Sequence, residues 1–154
     1  MLPLAPGRLL LFYQGQDSEQ SCVLCARVST DGGESFGPVT FLTSDDRYYC
    51  LCNDSALQLS SGHLLLPFTV NLSPTGTPAR LEAGCLYSDD GGASWRSSNT
   101  VFAPESGAME PKVVELKDSR LWMLLRTDQG TLYQAYSENG GERWSGTESS
   151  GIAA

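Results

Sequence analysis

A single histidine stands in the 154 residues of this chain. A Ser-His-Asp or Cys-His nucleophile system could draw only on His63, and a multi-histidine metal site is excluded. Basic residues are also scarce. Ten Lys and Arg against eighteen Asp and Glu leave a formal charge of −8. That balance argues against a nucleic-acid binder, which needs a basic face for the phosphate backbone. Charged residues of both signs make up only 18%, below the roughly 25% of an ordinary soluble domain. Apolar residues reach 40%, enough for a packed core, so disorder is not expected. No apolar run approaches the roughly 18 residues of a membrane span. The opening Met1-Leu-Pro-Leu-Ala-Pro-Gly-Arg8 puts prolines and an arginine where a signal peptide needs an unbroken apolar stretch, so no export signal is visible. No segment sustains a 3.6-residue apolar period, and Pro, Gly and Ser punctuate the whole chain. Both features favour an all-β fold.

His63 lies in Ser61-Gly-His-Leu64, a turn entering an apolar strand, and is expected to be solvated there. The five cysteines suggest metal only at first sight. Cys22 and Cys25 read as CxxC, but Cys22-Val-Leu-Cys-Ala-Arg-Val28 has the pattern of a strand. Residues three apart on a strand point to opposite faces, so the two thiols do not converge on one ion. Cys50 and Cys52 share a face, and Cys85 belongs to another strand. Buried small apolar thiols are expected, with no metal and no disulfide framework.

The chain is a repeat. Ser29-Thr-Asp-Gly-Gly-Glu-Ser-Phe36 recurs as Ser88-Asp-Asp-Gly-Gly-Ala-Ser-Trp95 and again as Ser137-Glu-Asn-Gly-Gly-Glu-Arg-Trp144. The copies lie roughly 50 to 60 residues apart, a period that points to propeller blades or solenoid units. The segments ahead of them repeat in phase: Leu4-Ala-Pro-Gly-Arg-Leu-Leu-Leu11, Leu59-Ser-Ser-Gly-His-Leu-Leu-Leu66 and Leu116-Lys-Asp-Ser-Arg-Leu-Trp-Met123. Each unit therefore reads as about four strands. In the Gly-Gly turn an Asp or Asn side chain accepts backbone N–H groups, and glycine supplies positive φ.

These octapeptides resemble the Asp box, Ser-x-Asp-x-Gly-x-Ser/Thr-Trp, of the sialidase superfamily of BNR-repeat β-propellers. The copy at 88–95 fits throughout. Phe36 replaces Trp in the first copy; Asn139 and Arg143 replace Asp and Ser/Thr in the third. The box marks fold and not catalysis. The resemblance implies a partial sialidase-like propeller domain over residues 1–154. About three four-stranded antiparallel blades of a six-bladed ring are expected, at approximately 1–46, 47–105 and 106–154. The first unit is expected to lack its inner strand, because Met1–Leu4 is short.

Aligned repeats place Asn53 opposite Glu110 and Thr69 opposite Arg126, at the distance that separates Leu59 from Leu116. An arginine ending the apolar strand Leu121-Trp-Met-Leu-Leu-Arg126 is either a solvated strand end or an anion site. The resemblance selects the second reading. Glu110-Pro-Lys-Val-Val-Glu-Leu116 followed by Arg126 is similar to the sialidase segment whose glutamate partners a catalytic tyrosine and whose arginine grips the substrate carboxylate. A guanidinium is permanently charged and binds a carboxylate bidentately. A tyrosine needs a neighbouring base to become a nucleophile. Gln14 and Gln16, in Leu9-Leu-Leu-Phe-Tyr-Gln-Gly-Gln16, stand where the family has glutamate and arginine. Asp17 is the candidate for the family's acid/base aspartate. Asn53 and Asp54 fall where family members contact substrate. None of the six tyrosines occupies the nucleophile's context.

The resemblance thus implies an exo-acting, sialidase-like glycoside hydrolase acting on terminal sialic acid or a related acidic sugar, without a cofactor. Its partner is expected to be a sialoside or related glycan, with no nucleic acid and no membrane span. The Gln14 and Gln16 replacements favour two alternatives: a carbohydrate-binding propeller without turnover, or a related enzyme acting on another sugar.

Overall fold

The computed structural model describes residues 1–16, 18, 20–73, 80–105 and 107–154. Asp17 lies outside the described residues. Thirteen strands lie among the described residues: β1 (Leu2–Ala5), β2 (Arg8–Gln16), β3 (Cys22–Ser29), β4 (Thr40–Phe41), β5 (Tyr48–Cys50), β6 (Leu57–Gln58), β7 (Leu64–Asn71), β8 (Leu81–Ser88), β9 (Arg96–Ser97), β10 (Met109–Glu115), β11 (Leu121–Arg126), β12 (Thr131–Ser137) and β13 (Glu148–Ala153). No helix occurs among the described residues, so no helix there is long and apolar enough to cross a membrane.

The strands pair antiparallel in three successive units: β1-β2-β3-β4, then β5 and β6 on β7 followed by β8 and β9, then β10-β11-β12-β13. One parallel bridge, Cys22 to Tyr48, joins the first two units into a nine-stranded sheet. The described residues are thus all-β, in three successive antiparallel units of about four strands. One expectation needs correcting. Leu2–Ala5 does form the first unit's inner strand, pairing with β2 from Leu2–Leu10 to Ala5–Arg8. Four residues suffice because Leu2 is buried with Leu10 and Leu64. The core also gains from packing, not strand length alone.

The core lies between the units, and alternation along the second strand of each unit builds it. Leu10 faces the second unit with Leu64. Leu65 faces the third, clustering with Leu121, Met123 and Leu125. Consequently β7, apolar on both faces, is buried along nearly its whole length. A strand covered on both sides loses the polar alternation of a half-exposed one.

The three Asp boxes form one hydrogen-bond network three times. In the first, Ser29 Oγ donates to Asp31 Oδ1 at 2.7 Å and receives the Gly33 N–H at 2.8 Å, while Asp31 Oδ1 accepts the Ser35 N–H at 3.0 Å. The second repeats this with Ser88, Asp90, Gly92 and Ser94. In both, the last serine hydroxyl also donates to the second carboxylate oxygen, at 2.5 Å. In the third, Asn139 Oδ1 accepts the Arg143 N–H at 3.0 Å. No serine hydroxyl is available there, because Arg143 occupies that place. The second glycine of each later box also answers to packing. At Gly92 (φ +90°) a Cβ would lie 2.9 Å from Leu10, and at Gly141 (φ +88°) 2.7 Å from Leu65. The turn therefore seats directly on the preceding unit's core.

Hydrogen bonds from the box serines hold the Asp31 and Asp90 carboxyls far below the usual carboxylate range. A lowered folded value means that unfolding takes up protons in acid. The stabilisation is thus complete above the unfolded value of 3.8 and is lost as pH falls below it. Asp90→Asn keeps an Oδ1 acceptor, as Asn139 does, but cannot titrate. We expect it to lower the urea midpoint at neutral pH and to flatten the decline below pH 4. An acid limb of unaltered steepness would show that Asp90 does not contribute to it.

His63 differs from its expected exposure. Its ring stacks on Tyr87 with centroids 5.5 Å apart, Nδ1 lies 2.5 Å from Asp89 Oδ1, and only 11% of the side chain is exposed. The turn that holds it is covered by the third unit's box at Gly140, which sequence position alone does not reveal.

Candidate functional site

At one end of the units, the second strands β2, β7 and β11 terminate in Gln14–Gln16, Thr69–Asn71 and Arg126, beside the segment 51–56 and the start of β10. Two shallow clefts meet there. One, of about 330 Å³, is lined by Gln14, Tyr13, Asn53 and Asp54 among others. The other, of about 370 Å³, is lined by Cys50, Leu51, Cys52, Asn53, Thr69 and Glu110. They share Leu51, Cys52 and Asn53, so this loop separates Gln14 from Glu110.

Glu110 and Arg126 form a bidentate pair. Arg126 Nε donates to Glu110 Oε2 at 2.7 Å and Nη2 to Oε1 at 3.0 Å. Both side chains are about half exposed, at 55% and 51%. A bulge in β10 makes the pairing possible. Met109 pairs with Arg126 and Lys112 with Leu124, leaving Glu110 and Pro111 opposite one residue. Glu110 accordingly adopts φ +49°, a region uncommon for a side-chain-bearing residue. Bulges of this kind re-aim side chains next to functional sites. Asp54 has a similar φ, +53°, on the neighbouring unit. Hydrogen bonding from Arg126 lowers the Glu110 pKa, and the same pairing raises that of Arg126.

The remaining candidates have distinct surroundings. Gln14 Oε1 accepts the Leu51 N–H at 2.9 Å, and its amide nitrogen lies 3.7 Å from Cys22 Sγ. Thr69 Oγ1 accepts the Glu110 N–H at 3.2 Å. Gln14 and Thr69 thus do the same work: each ties the end of a second strand to the next unit's inner segment. Arg126 occupies the corresponding place in the third unit, where it has donors and no acceptor. Gln16 donates to the Ser18 carbonyl at 3.0 Å and lines neither cleft. Asn53 and Asp54 lie in a loop rather than on a strand, and their backbone carbonyls accept from Lys112 Nζ at 2.7 and 3.1 Å.

Two residues without an assigned place in the sequence reading also reach the site. Lys112 follows Glu110 by two positions and holds the 53–54 loop. Cys52 is half-buried rather than buried. Burial raises its thiol pKa, Glu110 adds to the rise, and Lys112 and Arg126 oppose it. Its neighbour Asn53 was the available signal. None of the five cysteines forms a disulfide, and among the described residues no cluster of His, Cys, Asp and Glu suits a metal ion.

The model of the BNR repeat-like domain family matches residues 2–153. A sialidase of Bacteroides fragilis is 27% identical over 144 residues, covering 90% of this chain and 25% of that protein. The anhydrosialidase of the leech Macrobdella decora is 27% identical over 126 residues, covering 79% and 16%. Among solved structures, the intramolecular trans-sialidase of Ruminococcus gnavus, in complex with oseltamivir carboxylate, superposes with a TM-score of 0.69 at 26% identity, over 86% of this chain and 28% of that one. The chain therefore spans a quarter or less of the length of these curated relatives.

Proposed function

This chain belongs to the BNR repeat-like domain family, within the sialidase superfamily, and on that premise we propose that Arg126, paired with Glu110 beside these clefts, binds the carboxylate of an acidic sugar. In the whole protein it would serve an exo-acting sialidase-like glycoside hydrolase. One observation carries this reading. Where the first two units place neutral acceptors to tie themselves to the next unit, the third places a guanidinium held by a strained, bulged glutamate. The substitution replaces an acceptor by a planar cation, half-exposed and paired with Glu110.

The chemistry follows from these groups. Arg126 offers two parallel N–H donors to a sugar carboxylate, in competition with Glu110. As the ligand draws the guanidinium away, Glu110 loses the partner that lowers its pKa and becomes a stronger base. It is then suited to accept a phenolic proton from a tyrosine, whose oxygen bonds to the anomeric carbon as the glycosidic C–O bond breaks and the acid/base group protonates the departing oxygen. A neutral tyrosine avoids the repulsion that a carboxylate nucleophile would meet from an acidic sugar. Asn53, Asp54 and the Gln14 carbonyl offer polar contacts to sugar hydroxyls. Gln16 would read a hydroxyl beyond the cleft, and Asp17 is the proposed acid/base group.

A second reading, recognition without turnover, rests on Gln14. Its amide is engaged between units, and it brings no charge to the site. Release of fluorophore from a fluorogenic sialoside separates the two in a complete propeller containing these residues. The 154-residue protein is expected to release none, since none of its tyrosines stands in the nucleophile's context. Turnover by that protein would overturn the residue assignment. Sialic acid binding by a complete propeller that lacks turnover would favour the second reading.

A further inference from the structure

The segment 51–56, between β5 and β6, borders both clefts. Its Leu51 N–H reaches Gln14 of the first unit at 2.9 Å. Within the segment, Ser55 Oγ donates to the Cys52 carbonyl at 2.9 Å. From the third unit, Lys112 Nζ donates to the Asn53 carbonyl at 2.7 Å and to the Asp54 carbonyl at 3.1 Å. Three successive carbonyls are thus each taken by a side chain. Asp54, in the turn itself, has φ +53°. A residue with a side chain keeps that backbone region where its surroundings impose it.

Lysine suits this clasp. Its ammonium is a compact point charge with three donors, so it can take two carbonyls that leave one turn close together. A charged donor also makes the stronger kind of hydrogen bond. Among the described residues Lys112 enters no ion pair, whereas Arg126 is neutralised by Glu110. The strand gears the clasp to that pair. The bulge in β10 that aims Glu110 at Arg126 ends at Lys112, which pairs with Leu124. One irregularity therefore sets both the carboxylate and the ammonium two positions beyond it. The place of the loop relative to the Glu110–Arg126 pair is fixed through a single strand.

We propose that Lys112 is a positioning residue: it holds the 51–56 loop at the boundary of the two clefts so that Asn53 and Asp54 meet a sugar seated on Arg126. This rests on the reading of the site given above and adds the group that keeps its polar wall in place. Lys112 acts through the loop and not on the sugar. Without the ammonium, the Asn53 and Asp54 carbonyls turn to water, the Asp54 backbone relaxes, and the wall beside Glu110 moves. The Glu110–Arg126 pair stays, because its own hydrogen bonds do not involve the loop. Contacts to sugar hydroxyls change little as the glycosidic bond breaks. Their loss therefore weakens substrate and transition state alike, and KM carries the effect while kcat does not.

Two measurements test this. In the 154-residue protein, backbone ¹⁵N order parameters at Asn53 and Asp54 should be about 0.85 in the wild type and fall below about 0.6 in Lys112→Met. Lys112→Arg keeps the charge and the donors and should restore them. Lys117→Met, at the exposed turn after β10, should leave them at the wild-type values. In a complete propeller containing these residues, Lys112→Met should raise KM for a sialoside about tenfold, or Kd where the sugar is bound without turnover, and leave any kcat within about twofold. Lys112→Arg should recover most of that loss. Unchanged order parameters in Lys112→Met would overturn the clasp. A loosened loop with unchanged KM or Kd would overturn its role in binding and leave the reading of the site standing. A complete propeller that binds no sialoside, in the wild type as in the variant, would overturn that reading and the role of Lys112 with it, even where the loop loosens.

Discussion

Gly107→Ala should destabilise the protein by at least about 3 kcal/mol, combining a strained backbone with an overpacked contact. Gly107 has φ +97° and runs parallel to Leu81, ahead of β10. An added Cβ would lie 2.1 Å from the Leu81 carbonyl oxygen and 2.9 Å from its carbonyl carbon. These atoms are backbone and cannot rotate aside. The next residue, Ala108, donates its N–H to the same Leu81 oxygen at 3.1 Å, so the clash falls on the hydrogen bond that docks the third unit on β8. Urea unfolding followed by Trp fluorescence measures the effect. Gly146→Ala is the control, because a Cβ there meets nothing within 4 Å and its φ is not in the left-handed region. Equal midpoints for the two variants would show that the 107–81 contact does not hold the units together.

Arg126→Ala should lower kcat/KM for an acidic sugar by about 2–5 kcal/mol, the scale of removing one partner of a charge pair that a bound ligand closes off from water. At 25 °C that is roughly 30-fold to several thousandfold. The measurement belongs in a catalytically complete protein containing these residues. Arg126→Lys should recover part of the loss, because an ammonium keeps the charge but not the parallel fork. A second readout separates this from a structural effect. Arg126 lowers the Glu110 pKa chiefly by hydrogen bonding, so its removal lets that value rise. The acid limb of the pH–rate profile should move to higher pH. An unchanged rate and profile would assign Arg126 to the solvated surface instead.

The fold was legible because its signal is repeated. One Asp-Gly-Gly turn is only a good turn, but three in phase with three apolar segments require a common unit. What the residues could not disclose were effects of neighbours across units. His63 reads as a solvated turn residue because local sequence contains neither the Tyr87 face nor the Gly140 turn that covers it. Met1–Leu4 reads as too short for an inner strand because Leu64, which buries Leu2, lies 62 residues from it. At the site, the order Glu110 then Arg126 was readable as a candidate pair. The bulge that aims one at the other was not, since nothing in Met109-Glu-Pro-Lys112 announces a register shift beyond its proline. Gln14 reads as a neutral substitute for a charged group. Its actual engagement with the Leu51 N–H follows from how two units meet.

The Glu110–Arg126 pair has one further consequence for how an anionic ligand could arrive. The guanidinium is already neutralised by its own glutamate, and the chain as a whole carries a formal charge of −8. Its far field therefore repels an incoming carboxylate instead of guiding it. Discrimination is left to close-range exchange, in which the newcomer must displace a resident carboxylate by fitting the fork better, with the rest of its surface held by the surrounding loops.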